Sequence, residues 1–71
     1  MLKTITDKST INEICDIVEK VGGDMDNVRE RIDRIELSYY KGWIDVEAFD
    51  EDKSIRYISI GANYLQQYLK D

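Results

Sequence analysis

Glu30-Arg31-Ile32-Asp33-Arg34-Ile35-Glu36-Leu37-Ser38-Tyr39-Tyr40 is the stretch on which the fold turns, because it carries two periodicities at once. Counted from Met25, the apolar residues Val28, Ile32 and Ile35 recur at helical spacing. Glu30 and Arg34 form a favourable i,i+4 pair, and Arg29 and Asp33 form one in the less favourable order. With Asp24 or Asp26 as N-cap, this predicts a helix over Asp26 to about Leu37. Counted instead from Ile35, the residues Ile35, Leu37 and Tyr39 alternate with polar ones, which is the period of a strand.

The flanking segments are simpler. Upstream, Thr10-Ile11-Asn12-Glu13 fits a capping box, and Ile11, Ile14, Cys15, Val18 and Val21 follow at helical spacing until Gly22-Gly23. This predicts a helix over Thr10–Val21. Downstream, Lys41-Gly42 reads as a turn, and Ile44, Val46 and Ala48 alternate with Asp45 and Glu47. Asp50-Glu51-Asp52-Lys53-Ser54 reads as a polar loop and Ile55–Ile60 as a second β-rich run, so the two runs form a hairpin. Tyr64, Leu65, Tyr68 and Leu69 mark one face of a short terminal helix.

Helix, turn, helix, glycine turn, hairpin, helix is the order of a winged helix-turn-helix domain. Ile11-Asn12-Glu13-Ile14 resembles the opening of that family's second helix, and Val28, Ile32 and Ile35 resemble the apolar spacing of its recognition helix. Gly42-Trp43-Ile44 resembles the start of the wing. Asp52 to Ile60 resembles the wing's return strand in small bacterial and archaeal regulators of the MarR and PadR type. The resemblance runs from Thr10 to about Leu69. It implies an α+β, winged-helix-like domain with two amino-terminal helices, a β-hairpin wing and a carboxy-terminal helix. The chain departs from the family in leaving too few residues before Thr10 for a first helix, and in a longer link from Ile35 to Gly42. The alternative arrangement is α-β-β-β-α, with Arg34 to Tyr40 as a strand.

Bulk properties narrow the function. Seventy-one residues make one domain, 1–71. A chain of this size buries only about 60% of the surface its unfolded form exposes, so a partner surface, a homodimer in its simplest form, is the expected supplement to the core. Cys15 is the only cysteine and histidine is absent, so neither an internal disulfide nor a Cys/His metal site is available. The cysteine is expected to be a small buried hydrophobe. Asp50, Asp52 and Ser54 match the opening of a calcium loop, but Ile55 and Gly61 stand where glycine and glutamate are required. Gly22-Gly23 lacks the lysine and spacing of a phosphate-binding loop. No enzyme, cofactor or metal is expected. No apolar run approaches the roughly 18 residues that cross a bilayer, and no signal-like apolar core opens the chain, which points to a cytoplasmic setting without membrane contact.

Two kinds of partner remain. If the winged-helix resemblance holds, duplex DNA would be met by Asn27, Arg29, Arg31 and Arg34 on the second helix, with Lys53 and Arg56 reaching phosphate from the hairpin. The plainer reading of these residues is a solvated face, since Asp24 to Glu36 holds five acidic and three basic residues. The other partner class is a basic protein. The chain carries 15 acidic and 10 basic residues, a net charge of −5, and an acidic interaction module would present Asp45, Glu47, Asp50, Glu51 and Asp52 beside an aromatic anchor, Trp43. Tyr39, Tyr40, Trp43 and Tyr57 cluster around the hairpin, as core packing or as interface anchors. Tyr64, Leu65, Tyr68 and Leu69 either dock on the domain's own core or form a dimer contact.

Overall fold

The computed structural model describes residues 2–70; Met1 and Asp71, the ends of the expected domain, lie outside them. The chain begins with a strand, β1 (Leu2–Ile5), and turns at Asp7 into α1 (Lys8–Lys20). Asp7 is the N-cap: its Oδ2 accepts from the Thr10 N–H at 3.0 Å, from the Ser9 hydroxyl at 2.7 Å and from the Thr10 hydroxyl at 2.8 Å. These bonds, Ser9's first, hold the Asp7 carboxyl below its ordinary pKa. The helix thus starts earlier than the Thr10–Glu13 pattern predicted. An aspartate three residues ahead of Thr10 is as good a cap as a hydroxyl, and it brings Lys8 and Ser9 into the helix. The end falls at the glycines. Gly22 takes φ +102°, its N–H donates to Glu19 O and the Gly23 N–H donates to Val18 O, which is a Schellman cap.

The expected second helix does not form. Residues 24–33 run as an irregular segment with one 3₁₀ turn at Arg29–Arg31, and Arg34–Tyr40 is a strand, β2. This overturns the two-helix amino-terminal half and with it the winged-helix-like architecture. It also departs from α-β-β-β-α, which lacked the leading strand. Energies explain the outcome. The i,i+4 pairs that favoured a helix are worth about 0.2–0.5 kcal/mol each. Fully burying an Ile or Leu side chain is worth about 1.5–3 kcal/mol. As a strand, the segment buries Ile35 and Leu37 completely while pairing on both sides, and Met25, Val28 and Ile32 are still buried from the irregular segment.

Strands β3 (Trp43–Asp50) and β4 (Lys53–Gly61) complete a four-stranded antiparallel sheet in the order β1-β2-β3-β4. Lys41 and Gly42, at φ +48° and +86°, make the two-residue turn between β2 and β3, of the kind whose twist suits a hairpin. The β3–β4 turn is tighter than the polar loop predicted: only Glu51 and Asp52 lie outside the strands, and a bulge at Ala48/Phe49 absorbs the extra residue. A short α2 (Ala62–Leu65) and a 3₁₀ turn at Gln66–Leu69 end the fold.

All of the helical packing is on one face of the sheet. Ile11, Ile14, Cys15 and Val18 of α1 share a core with Ile35, Leu37, Ile44, Val46 and Ile60, closed at its margins by Met25, Ile32 and Leu65. Among the described residues no polar side chain is buried in it. Cys15 has no exposure, and desolvation pushes its thiol pKa up, as expected of a packing residue.

Candidate functional site: the open face of the sheet

Strand alternation sends every second side chain of β1 to β4 away from α1. From β1 come Leu2 and Thr4; from β2 come Arg34, Glu36, Ser38 and Tyr40; from β3 come Trp43, Asp45, Glu47 and Phe49; from β4 come Tyr57 and Ser59. No element of the described chain covers this face. Its centre is acidic. Glu36 and Glu47 are direct cross-strand partners, and Asp45 faces Ser38 one pair further along. Like charges directly opposite one another destabilise a sheet. Arg34 relieves one side, with Nε 3.2 Å from Glu36 Oε2. Its guanidinium lies 4.0 Å over the Phe49 ring and its Nη1 donates to Glu51 O, so it is held at the turn end of the sheet. Asp45 accepts from the Tyr57 hydroxyl at 2.8 Å and the Ser59 hydroxyl at 2.6 Å. The bond to Asp45 is the main reason the Tyr57 phenol titrates above its ordinary pKa; Glu47 adds to it. Leu2, Glu36, Ser38, Asp45, Glu47 and Tyr57 line a shallow cavity of about 260 Å³.

Aromatic rings ring this centre. Tyr40 and Trp43 face one another across the β2–β3 turn, Tyr57 stands on β4, and all three are largely exposed, as is Leu2. Tyr39 belongs to the other side of the sheet.

No family model matches the chain, and no curated protein or solved structure matches it.

The residues expected to meet DNA are scattered. Arg29 turns back onto α1, with Nη1 2.8 Å from Glu19 Oε1 and Nη2 2.9 Å from Asp16 Oδ1. Arg34 is on the open face. Arg56, on the opposite side of β4, donates to Asn27 Oδ1 at 2.7 Å. Arg31 lies 3.9 Å from Asp50 Oδ2, and Lys53 is exposed at the β3–β4 turn. The helix that would have set Asn27, Arg31 and Arg34 on one flank is absent, so these three do not converge.

The acidic set divides. Asp45, Glu47 and Trp43 meet on the open face, whereas Asp50, Glu51 and Asp52 belong to the turn, where Asp33 Oδ2 accepts the Glu51 N–H at 2.6 Å. Glu36, Tyr40 and Tyr57 complete the face; the two tyrosines were expected as core packing or as interface anchors, and Glu36 was not among the expected partner residues. The signal for Glu36 and Tyr40 was present in the strand reading of Arg34–Tyr40, which puts them opposite to Ile35 and Leu37. In the terminal stripe, Leu65 is fully buried in the domain's own core, and Tyr68 and Leu69 pack against it. The Tyr68 hydroxyl donates to Glu13 Oε1 at 3.0 Å, and Tyr64 faces solvent. Leu65, Tyr68 and Leu69 therefore serve the monomer's packing, leaving Tyr64 as the outward member.

Among the described residues no helix is long and apolar enough to cross a membrane, and no group of acidic or cysteine side chains has the arrangement of a metal site.

Proposed function

We propose that the protein is an interaction module whose open sheet face receives a basic segment of a partner protein, in an intracellular setting suited to its free thiol. The observation that carries this reading is the apposition of Glu36 and Glu47, relieved by Arg34 on the Glu36 side alone, with Asp45 beside them, inside a rim of exposed Tyr40, Trp43 and Tyr57. A domain this small gains nothing in stability from facing carboxylates. A lysine or arginine side chain laid between them would be attracted by several charges at once, and the aromatic rim supplies apolar and cation–π contact for its stem and head group. Aromatic anchors around a polar centre are what protein interfaces favour. Duplex DNA fits this face poorly: it presents carboxylates to phosphate, and Arg29, Arg34 and Arg56 are already engaged within the chain.

The test uses a short lysine-rich peptide at low and at moderate salt. Capture should weaken as salt rises. The double variant Glu36→Lys, Glu47→Lys should lose it, whereas Glu51→Lys, Asp52→Lys, with the same change in net charge, should retain most of it. Equal losses in the two variants would mean that net charge alone attracts the peptide, and the assigned face would be wrong.

A further inference from the structure

The sheet order leaves β1 and β4 at its edges, and the two differ. β1 is four residues long; β4 is nine. The Ala62 N–H donates to Gly42 O at 2.9 Å, in the same register that pairs Gly61 with Trp43 and Ile60 with Ile44. Antiparallel ladders alternate between residues that exchange hydrogen bonds and residues that do not. Ile58 and Ile60 therefore direct their backbone groups to β3, and Tyr57, Ser59 and Gly61 direct theirs outward. Apart from the Gly61 C=O, which as the N-cap of α2 serves that helix's first turn, no backbone hydrogen bond from the described loops and turns reaches these three. Such a row is a template for another strand, and folded proteins usually guard it with lysine, proline or a covering segment. The chain has no proline, and no charged residue occurs from Tyr57 to Gly61.

Both sides of this edge are furnished. A groove of about 430 Å³ follows the β4 edge, walled from the covered side by Val21, Gly22, Gly23 and Ile58, with Tyr64 beside them, and reaching Trp43 and Ser59 of the open side. Gly23 lets the α1 cap approach closely, since a Cβ there would come 3.2 Å from Ile58 Cδ1. On the open side, Tyr57 and Ser59 border Asp45 and Glu47. A strand laid along Tyr57–Gly61 would alternate its side chains between these two environments.

We propose that the outer edge of β4 accepts an extended partner segment in which basic and small apolar side chains alternate, adding one strand to the sheet. This rests on the open-face reading and names its partner. The apolar side chains would enter the groove, and the basic ones would reach Asp45 and Glu47. Charge selects this occupant over a second copy: pairing two β4 edges would set two acidic faces side by side on chains that each carry −5. Strand addition gives affinity through the main chain and specificity through alternate side-chain pockets.

The probes are two peptides of identical composition, one alternating lysine and valine and one with the lysines and valines in separate blocks. The alternating peptide is expected to bind about tenfold more tightly and to slow amide exchange at Tyr57, Ser59 and Gly61. Gly61 already has φ −55° and ψ 135°, which proline's backbone adopts, and an added Cβ would press only on the Asn63 side chain, at 3.0 Å, so Gly61→Pro deletes one outward donor without touching the β3 ladder. That variant should weaken the alternating peptide and leave the block peptide unchanged. Equal binding of both peptides, with unchanged exchange on β4, overturns strand addition while the open-face reading survives. Failure of both peptides to bind at low salt sinks both. Exchange at these amides that is already slow in the protein alone, and slower at higher protein concentration, gives the edge to a second copy and overturns the proposal.

Discussion

Trp43 and Ile44 are chain neighbours on one strand with opposite surroundings. Ile44 has no exposure and sits in the core with α1 above it; Trp43 is 56% exposed on the uncovered face. The contrast extends across the sheet. The covered face is filled by Ile35, Leu37, Ile44, Val46, Ala48 and Ile60, with no buried polar residue among the described residues; at its β4 margin Arg56 Nε is buried without a hydrogen-bond partner. The open face sets Glu36 against Glu47 and leaves Tyr40, Trp43 and Tyr57 in water. Packing explains the apolar filling of the first face. It does not explain the second, where facing carboxylates cost stability and large rings gain little burial. Selection for stability alone would place a lysine at one of those glutamates.

The largest effects should come from the covered face. Ile44→Ala and Leu65→Ala are each expected to cost about 2–5 kcal/mol in denaturant unfolding, through lost burial and the cavity left behind. Trp43→Ala, one residue from Ile44, should cost less than about 0.5 kcal/mol, as exposed substitutions away from special features do. A Trp43→Ala cost equal to that of Ile44→Ala would show that the open face is covered in solution, and the contrast would fail.

Next in size is the seam between α1 and the sheet edge. A Cβ on Gly23 would lie 2.5 Å from Val18 Cγ1, so Gly23→Ala should cost about 1–3 kcal/mol as Val18 is displaced. Gly22, at φ +102°, has open space around it, and Gly22→Ala should cost about 1 kcal/mol through backbone strain alone. Thermal melts of the two variants would separate crowding from strain.

Glu47→Lys sharpens the comparison most directly. It replaces a repulsion with Glu36 by an attraction, so stability should rise by about 0.2–1 kcal/mol. Capture of a lysine-rich peptide should fall about tenfold in the same protein. A variant that gained stability and kept capture intact would show that Glu47 has no part in binding.

The smallest effects are in titration. Tyr57's folded pKa is raised above its ordinary 10.0, first by the bond to Asp45. The stabilisation it contributes is therefore fully present below pH 10.0 and is lost as pH rises through the folded value. Asp45→Asn should move the Tyr57 titration, read by ultraviolet absorbance against a Tyr57→Phe blank, back toward 10.0. Asp7 behaves oppositely. Its folded pKa lies below 3.8, so its contribution is present above pH 3.8 and disappears as pH falls through the folded value. Asp7→Asn, which can still cap, should flatten that acid limb while lowering the melting temperature little.

Local chemistry was enough for some of this molecule. The apolar spacing of Ile11, Ile14, Cys15 and Val18 made a helix, Gly22-Gly23 ended it, and Lys41-Gly42 made a turn, because each depends on residues within one or two turns of chain. The alternation from Ile44 to Ala48 and the β-rich run from Ile55 to Ile60 marked two strands, and with them Trp43, Asp45 and Glu47 as neighbours. Leu2–Ile5 gave almost no signal, since it is four residues long and buries only Ile5. Arg34–Tyr40 fitted both periods, and nothing local could choose between them. Tertiary structure chose, because burying Ile35 and Leu37 between two paired strands outweighs a few helical ion pairs. That one decision moved Glu36 and Tyr40 onto the face of Asp45, Glu47 and Trp43, dispersed the arginines that a second helix would have gathered, and left the edge of β4 open.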